Sequence, residues 1–201
     1  MTITMQKKLI LASSSPRRQE LIASLRLPFE IKVSDVSEDT EPGLSPAEVV
    51  EQLSSRKAAA VCEMYKEQQR NDGIVIGSDT IVVLNGEILG KPKDKADAFR
   101  MLNGLQGREH YVYSGVACID LSTGKQIVSH QVTLVYMKPL TKTQIERYID
   151  TGEPMDKAGS YGIQGLGATI VERIEGDYFN VVGLPVSLLS DLLQQFGIAV
   201  I

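Results

Sequence analysis

The sequence predicts an α/β fold: a twisted, mixed β-sheet with flanking helices, divided into two lobes around a central cleft. Capped helical segments alternate with short apolar runs over the first hundred residues, the order expected of strands linked by helices. The run Ile74-Val75-Ile76-Gly77-Ser78-Asp79 stays apolar until its end, as a central strand covered on both faces requires. Two longer strand-like stretches, near 109–120 and 126–137, add a hairpin-like pair in the middle of the chain.

The elements follow in order. Leu9-Ile10-Leu11 is a short strand that stops at Ser13-Ser14-Ser15. Ser15 suits a helix N-cap and Pro16 the first helical position, where a missing N–H costs nothing. Leu21, Ile22 and Leu25 continue at helical spacing, and Phe29, Ile31 and Val33 alternate with polar residues as in a half-buried strand. An acidic loop over 34–43 carries Asp35, Glu38, Asp39 and Glu41. Ser45-Pro46-Ala47-Glu48 has the capping-box pattern and opens a long helix to about Gln69, which Asn71-Asp72-Gly73 breaks. Beyond Asp79 the apolar run extends to Leu84, and Asn85-Gly86 signals a hairpin. Asp94 caps a helix through Ala98, Phe99, Met101 and Leu102, and Ser122-Thr123-Gly124 turns between the two long strands. Thr141 to Gln144 is a second capping box, whose helix ends at Thr151-Gly152. A glycine-rich region, 159–167, leads to strands near 168–174 and 178–182, and Gly183-Leu184-Pro185 opens a final amphipathic helix.

A chain of 201 residues can bury a substantial core, and residues 1–201 read as a single domain. The formal net charge of −4, with both signs interspersed, argues against duplex nucleic acid and leaves room for a small polyanion in a basic pocket. Cys62 and Cys118 stand far apart and in no metal-ligand spacing, as expected in a reduced, cytoplasmic compartment. The apolar run after Met1–Lys8 is too short for a signal peptide. No stretch approaches the ~18 apolar residues of a membrane span, so no membrane partner is expected.

The densest chemistry lies where the first strand meets the first helix. Serine hydroxyls, unpaired first-turn N–H groups and the guanidiniums of Arg17 and Arg18 converge there. Two cations on a first turn oppose the helix dipole unless an anion is nearby, and phosphate is the anion that suits. Asp79 ends the apolar strand, where open α/β sheets place ligands. A carboxylate there costs several kcal/mol to desolvate unless it is paired or metal-bound; a local turn-capping role is the plainer alternative. Glu38 reads equally as a solvated loop acid, and Lys57, among small residues, as a helix-surface lysine. Lys91 lies in a rigid Gly-Lys-Pro turn that aims its side chain.

The stretch from Glu153 to Ala168 matches neither a P-loop nor a dinucleotide-binding glycine pattern. Its glycines nevertheless permit close backbone approach to a ligand. Gln164 can donate and accept at one edge of a base, and Tyr161 can pack against a ring; a flexible surface loop is the alternative. His110 and His130, both in strand-like stretches, read as structural. Carboxylates without a His/Cys cluster favour magnesium or manganese over zinc.

The segments Leu11 to Arg18, Gly77-Ser78-Asp79-Thr80, Gly90-Lys91-Pro92 and Glu153 to Gly165 together resemble the Maf family of nucleoside triphosphate pyrophosphatases, originally linked to septum formation. Gly176-Asp177-Tyr178 and Val182-Gly183-Leu184-Pro185 extend the likeness almost to the C-terminus. The resemblance implies hydrolysis of a nucleoside triphosphate to the monophosphate and pyrophosphate, with a divalent metal cation (Mg2+ or Mn2+) as cofactor. It implies a fold shared with the inosine-triphosphate pyrophosphatases. It makes Asp79 the proton acceptor and Arg17, Thr80 and Gln164 the positions that set base preference. Those three identities resemble the branch acting on dTTP and UTP, with modified pyrimidine nucleotides also in range, and differ from the 7-methyl-GTP branch. Ser15, Arg18, Lys57 and Lys91 match phosphate-binding positions, and Glu38 joins Asp79 as an implied metal ligand. A house-cleaning role linked to cell-division arrest follows, and a homodimer is the oligomer expected. Two rival readings are a non-catalytic nucleotide-binding regulator of septum formation and an enzyme cleaving non-standard purine triphosphates. Asp79 argues against the first, and Arg17, Thr80 and Gln164 against the second.

Overall fold

The computed structural model describes residues 7–201; Met1 to Gln6, on which the signal-peptide expectation partly rests, lie outside the described residues. Its strands are β1 (Leu9–Leu11), β2 (Phe29–Ile31), β3 (Ile74–Leu84), β4 (Glu87–Leu89), β5 (Glu109–Asp120), β6 (Gln126–Met137) and β7 (Val171–Glu175). They form one sheet in the order β2-β1-β3-β5-β6-β7, with β4 paired to β3. Strand β1 runs parallel to β2 and β3, Leu9 lying opposite Phe29 and Ile74, while the β3–β4 and β6–β7 pairs are antiparallel. The sheet is therefore mixed, as the sequence predicts.

The helices are α1 (Pro16–Ser24), α2 (Pro46–Glu67), α3 (Lys95–Leu105), α4 (Lys142–Asp150), α5 (Tyr178–Val182) and α6 (Val186–Gln194). Their starts follow the capping chemistry. The hydroxyls of Ser15, Ser45 and Thr141 and the carboxylate of Asp94 each accept a first-turn N–H, and the Ser45–Glu48 and Thr141–Gln144 boxes both close.

The chain divides into two compact units, one comprising the chain up to Asp79 with 115–130 and 183–201, the other 80–114 with 131–182. Strands β3, β5 and β6 contribute residues to both. In the first unit Ile10, Val75, Ala117 and Ile119 of the sheet bury against Ala58, Val61, Cys62 and Tyr65 of α2. Helix α2 lies very close to the strands. A Cβ on Gly77 would stand 2.1 Å from the Ser54 carbonyl oxygen, and one on Gly115 would stand 2.2 Å from that of Val50. The core of the second unit gathers Leu102 and Leu105 of α3, Ile145, Tyr148 and Ile149 of α4, and Val112, Val135 and Met137 of the sheet. Both cysteines are free and buried, and burial pushes their thiols up, Cys62 to about 11 and Cys118 to about 12.

Two expectations change. The strand expected near 168–174 begins only at Val171, because Gly165–Thr169 forms a 3-10 turn. The strand expected near 178–182 is the short helix α5. Asp177 accounts for the helix: its carboxylate accepts the Phe179 N–H at 2.8 Å, as an N-cap does. The Asn180 amide turns inward and donates to the Val112 carbonyl at 3.0 Å and to Thr133 Oγ1 at 2.8 Å, bonds that hold the turn against the sheet.

Asp120, at the end of β5, is buried and accepts from Lys7 Nζ at 2.5 Å, Ser122 Oγ at 2.7 Å and Ser122 N–H at 2.9 Å. Burial alone would raise its pKa, but these donors outweigh it and hold the carboxyl at about 2. A depressed folded-state pKa contributes stability that is complete above the ordinary value of 3.8 and is lost as pH falls through about 2. Asp120→Asn is expected to lower the Tm at neutral pH by roughly 2–6 °C, the equivalent of about 1–2 kcal/mol. Thermal denaturation of both proteins from pH 7 downwards checks this; the gap should narrow below about pH 4, and a gap that stays constant would contradict it.

Candidate active site

In the first unit the site begins at the N-terminus of α1. Ser15 has an extended backbone and its Oγ lies 3.5 Å from the Arg18 N–H, so its hydroxyl serves the helix cap. Ser13 Oγ accepts the Ser15 N–H at 3.2 Å and lies 3.4 Å from a guanidinium nitrogen of Arg18. Arg18 Nε donates to the Gly183 carbonyl at 2.7 Å, and the buried Ser78 Oγ donates to the same carbonyl at 3.0 Å. One backbone oxygen thus aims a helix-borne cation and fixes the strand residue just before Asp79. Burial lowers the Arg18 pKa; the nearby carboxylates of Asp79 and Glu38 oppose that, and the like charge of Arg17 adds to it.

Lys57 joins the two carboxylates. Its ammonium donates to Asp79 Oδ1 at 2.5 Å and to Glu38 Oε1 at 2.9 Å. Asp79 is only 7% exposed, whereas the Glu38 side chain is 57% exposed. Glu38 belongs to a loop that Arg56 anchors, one of its guanidinium nitrogens donating to the Ser37 carbonyl at 2.6 Å and to the Asp39 carbonyl at 2.7 Å. Helix α2 therefore supplies two consecutive basic residues with different tasks. Arg56 holds the loop backbone, and Lys57 holds the carboxylates. Arg17, Arg18 and Lys57 against Glu38 and Asp79 leave the cluster one positive charge in excess.

The remaining predicted residues belong to the second unit. Thr80 Oγ1 lies 2.8 Å from Ser114 Oγ, and Ser114 Oγ donates to the Asn180 carbonyl at 2.9 Å. A serine hydroxyl has one proton. With that proton on the Asn180 carbonyl, Thr80 is the donor to Ser114. Lys91 is exposed in the turn after β4, and the Gly90 carbonyl before it accepts the Gly159 N–H at 3.0 Å, tying that turn to the glycine-rich stretch. Gln164 is half-buried. Tyr161 departs from expectation: it is buried in the core with its hydroxyl 2.6 Å from His110 Nε2, so its ring is not offered to a ligand. Burial pushes His110 down to about 4, which keeps it neutral. His130 pairs with Glu51 at 2.7 Å.

The first unit thus gathers Ser15, Arg17, Arg18, Glu38, Lys57 and Asp79 in one neighbourhood. Arg56, Ser78, Gly183 and Ser114 received no role in the sequence reading, although Ser78 and Gly183 stand within the motifs quoted there. The positioning contacts of Arg56, Ser78 and Ser114, and that of Arg18 with Gly183, all end on backbone carbonyls, which leave no signature in side-chain identity. The doublet Arg56-Lys57 before an alanine run was the one available signal. Among the described residues no group of three or more His, Cys, Asp and Glu is placed to hold a metal ion. Magnesium, however, is ordinarily held by one or two carboxylates plus substrate phosphates. The oxygen donors of Asp79 and Glu38, already gathered on one ammonium, fit an ion of that kind.

This fold and site define an α/β protein that surrounds a buried carboxylate with cations suited to an anionic small molecule. The chain belongs to the Maf family, its residues 8–196 matching the family described as Maf-like protein. It is 54% identical over 195 residues, 97% of this chain and 100% of the relative, to a dTTP/UTP pyrophosphatase of Desulforamulus reducens. It is 50% identical over 191 residues, 95% of this chain and 97% of the relative, to a dTTP/UTP pyrophosphatase of Pelotomaculum thermopropionicum. In fold it resembles the Staphylococcus aureus Ham1 protein, with a TM-score of 0.58 at 15% identity over 94% of this chain and 100% of the other.

Proposed function

We propose that the protein is a nucleoside triphosphate pyrophosphatase that hydrolyses dTTP and UTP to the monophosphate and pyrophosphate. The observation that carries this reading is Asp79, a nearly buried carboxylate held by Lys57 at 2.5 Å in the electrostatic reach of Arg18. The activity named for relatives about 50% identical over nearly their whole length supports it. A regulator that only sensed nucleotide would gain nothing from a carboxylate facing a polyanion, which repels the ligand.

Hydrolysis at the α-phosphorus needs a base for the attacking water, neutralisation of the phosphates and stabilisation of the departing pyrophosphate. Asp79 is the group that takes the proton from water. Asp79 and Glu38 would hold magnesium or manganese, which when bound supplies Lewis-acid neutralisation of phosphate charge. The Lys57 ammonium, shared between two carboxylates without substrate, moves its donors to phosphate oxygens when a triphosphate arrives. Arg18, already aimed by the Gly183 carbonyl, adds a fixed positive charge, and Lys91 is assigned the same task by its motif.

Base preference is assigned to Arg17, Thr80 and Gln164. Uracil and thymine offer two carbonyls and one ring N–H. The Thr80 oxygen, as an acceptor, suits that N–H, while the Gln164 amide and the Arg17 guanidinium suit the carbonyls. Cytosine has an acceptor in place of the N–H and an amino group in place of one carbonyl, so like would face like. Each such mismatch costs about 1–3 kcal/mol.

Asp79→Asn keeps the shape of the side chain and removes the base. Turnover should fall at least about 100-fold with an unchanged circular dichroism spectrum, and a variant keeping more than about a tenth of wild-type turnover would remove Asp79 from this role. Activity should also vanish in excess EDTA and return with magnesium or manganese; undiminished turnover in chelator would exclude the metal. On base choice, kcat/KM for dTTP and UTP should exceed that for CTP, ATP and GTP by at least about tenfold. Gln164→Glu should erode that preference more than it erodes hydrolysis overall. Equal efficiency on CTP and UTP would refute the base-reading roles while leaving the pyrophosphatase chemistry in place.

A further inference from the structure

Gln164 lies in an irregular stretch whose backbone hangs on a single carboxylate. Glu153 stands in the 3-10 turn Glu153–Asp156 that follows α4. Its Oε1 accepts the Gly167 N–H at 2.8 Å and its Oε2 accepts the Leu166 N–H at 2.9 Å. Tyr148, on α4, donates its hydroxyl to Glu153 Oε1 at 2.8 Å, and the Tyr148 hydroxyl oxygen in turn accepts the Gly162 N–H at 3.3 Å. The backbone is therefore gripped on both sides of Gln164, two residues before it and two and three after it. The Tyr148 ring is itself packed in the core with Leu102, Ile145 and Ile149, so the grip rests on rigid structure.

The glycines of the stretch fit around the same groups. A Cβ on Gly165, whose φ is +64°, would stand 2.7 Å from Glu153 Oε2, and one on Gly167 would stand 2.7 Å from the Tyr148 hydroxyl oxygen. Burial alone would raise the Glu153 pKa, but the backbone donors, Tyr148 and Lys157 outweigh it and keep the group below its ordinary value, an ionised double acceptor. Among the described residues the Gln164 side chain makes no hydrogen bond, so its direction depends on the backbone beneath it.

We propose that Glu153, with Tyr148, is a positioning residue for base discrimination: its carboxylate and the Tyr148 hydroxyl bound to it together clamp residues 162–167 and so fix how Gln164 meets the edge of a pyrimidine. This rests on the base-reading role proposed above for Gln164. Glu153 touches no reacting atom, and its removal acts through the loop. A merely structural role would lower stability and reduce turnover of every nucleotide by the same factor.

The test compares wild type, Glu153→Gln, Tyr148→Phe and Gln164→Ala by kcat/KM for UTP and CTP and by amide hydrogen exchange. Glutamine keeps the shape of Glu153 but turns one acceptor into a donor facing an N–H. The UTP:CTP ratio should fall at least about fivefold in Glu153→Gln, mainly through a raised KM for UTP, and by a smaller factor in Tyr148→Phe. Exchange at the Leu166 and Gly167 amides should quicken at least about tenfold in Glu153→Gln, with the Leu102 and Ile149 amides unchanged. If Gln164→Ala lowers the ratio while Glu153→Gln leaves it unchanged, or if Glu153→Gln slows UTP and CTP equally, the positioning role is overturned and the reading of Gln164 stands. If Gln164→Ala leaves the ratio at its wild-type value, the base-reading role falls and this inference falls with it. Should Glu153→Gln not fold, Tyr148→Phe decides: an unchanged ratio with unchanged exchange at Gly162 and Gly167 overturns the proposal.

Discussion

Burying Asp79 is the constraint on which the first unit turns. A carboxylate 7% exposed carries a desolvation cost of several kcal/mol unless a cation and hydrogen bonds offset it. Lys57 supplies the offset at 2.5 Å, and it reaches only because α2 lies so close to β3. The closeness is set at Gly77, where the Ser54 carbonyl occupies the space a side chain would need. Ser54 and Lys57 are three residues apart on a helix, hence on one face, and Gly77 and Asp79 are two apart on a strand, hence also on one face. The close approach and the ion pair are therefore one geometric event. Any larger residue at 77 would lift the helix and leave a buried charge without its partner.

Glu38 is held on different terms. Its contact with Lys57 is largely solvated, and exposed pairs of that kind contribute about 0–1 kcal/mol. That is too little to order an acidic loop without secondary structure. The loop instead takes its place from Arg56, whose guanidinium bonds two backbone carbonyls on either side of Glu38. One basic residue thus shapes the backbone while its neighbour attends to charge, and losing either would move Glu38 by a different route.

Much of the fold was legible because it is written in local chemistry. Ser15, Ser45, Asp94 and Thr141 each cap the helix their side chains predicted, and Asn85-Gly86 turns β3 into β4. The failure at 178–182 is equally local: Tyr-Phe-Asn-Val-Val has the composition of a strand, but the preceding Asp177 is an N-cap signal and Asn180 bonds inward where a strand would have needed an apolar side chain. Asp79 could be singled out because an acid closing an apolar run is conspicuous. The contacts that aim its neighbours could not. Arg18 and Ser78 meet on the Gly183 carbonyl, 165 and 105 residues away in sequence, and a carbonyl looks the same whatever residue carries it.

The glycine-rich stretch shows how composition can mislead about order. Four glycines within nine residues suggest a mobile loop, yet several backbone donors there meet defined acceptors. The N–H of Gly159 goes to Gly90, that of Gly162 to Tyr148, those of Leu166 and Gly167 to Glu153, and that of Ile170 to Gly167. Glycine is present because acceptors must come closer to the chain than a Cβ permits, and each such approach removes freedom. A charged acceptor serving two N–H groups makes stronger bonds than a neutral one and restricts the backbone accordingly. A side chain carried on a loop already held in this way loses little further conformational freedom when it meets a ligand, so more of its hydrogen-bond energy is left to tell one base from another.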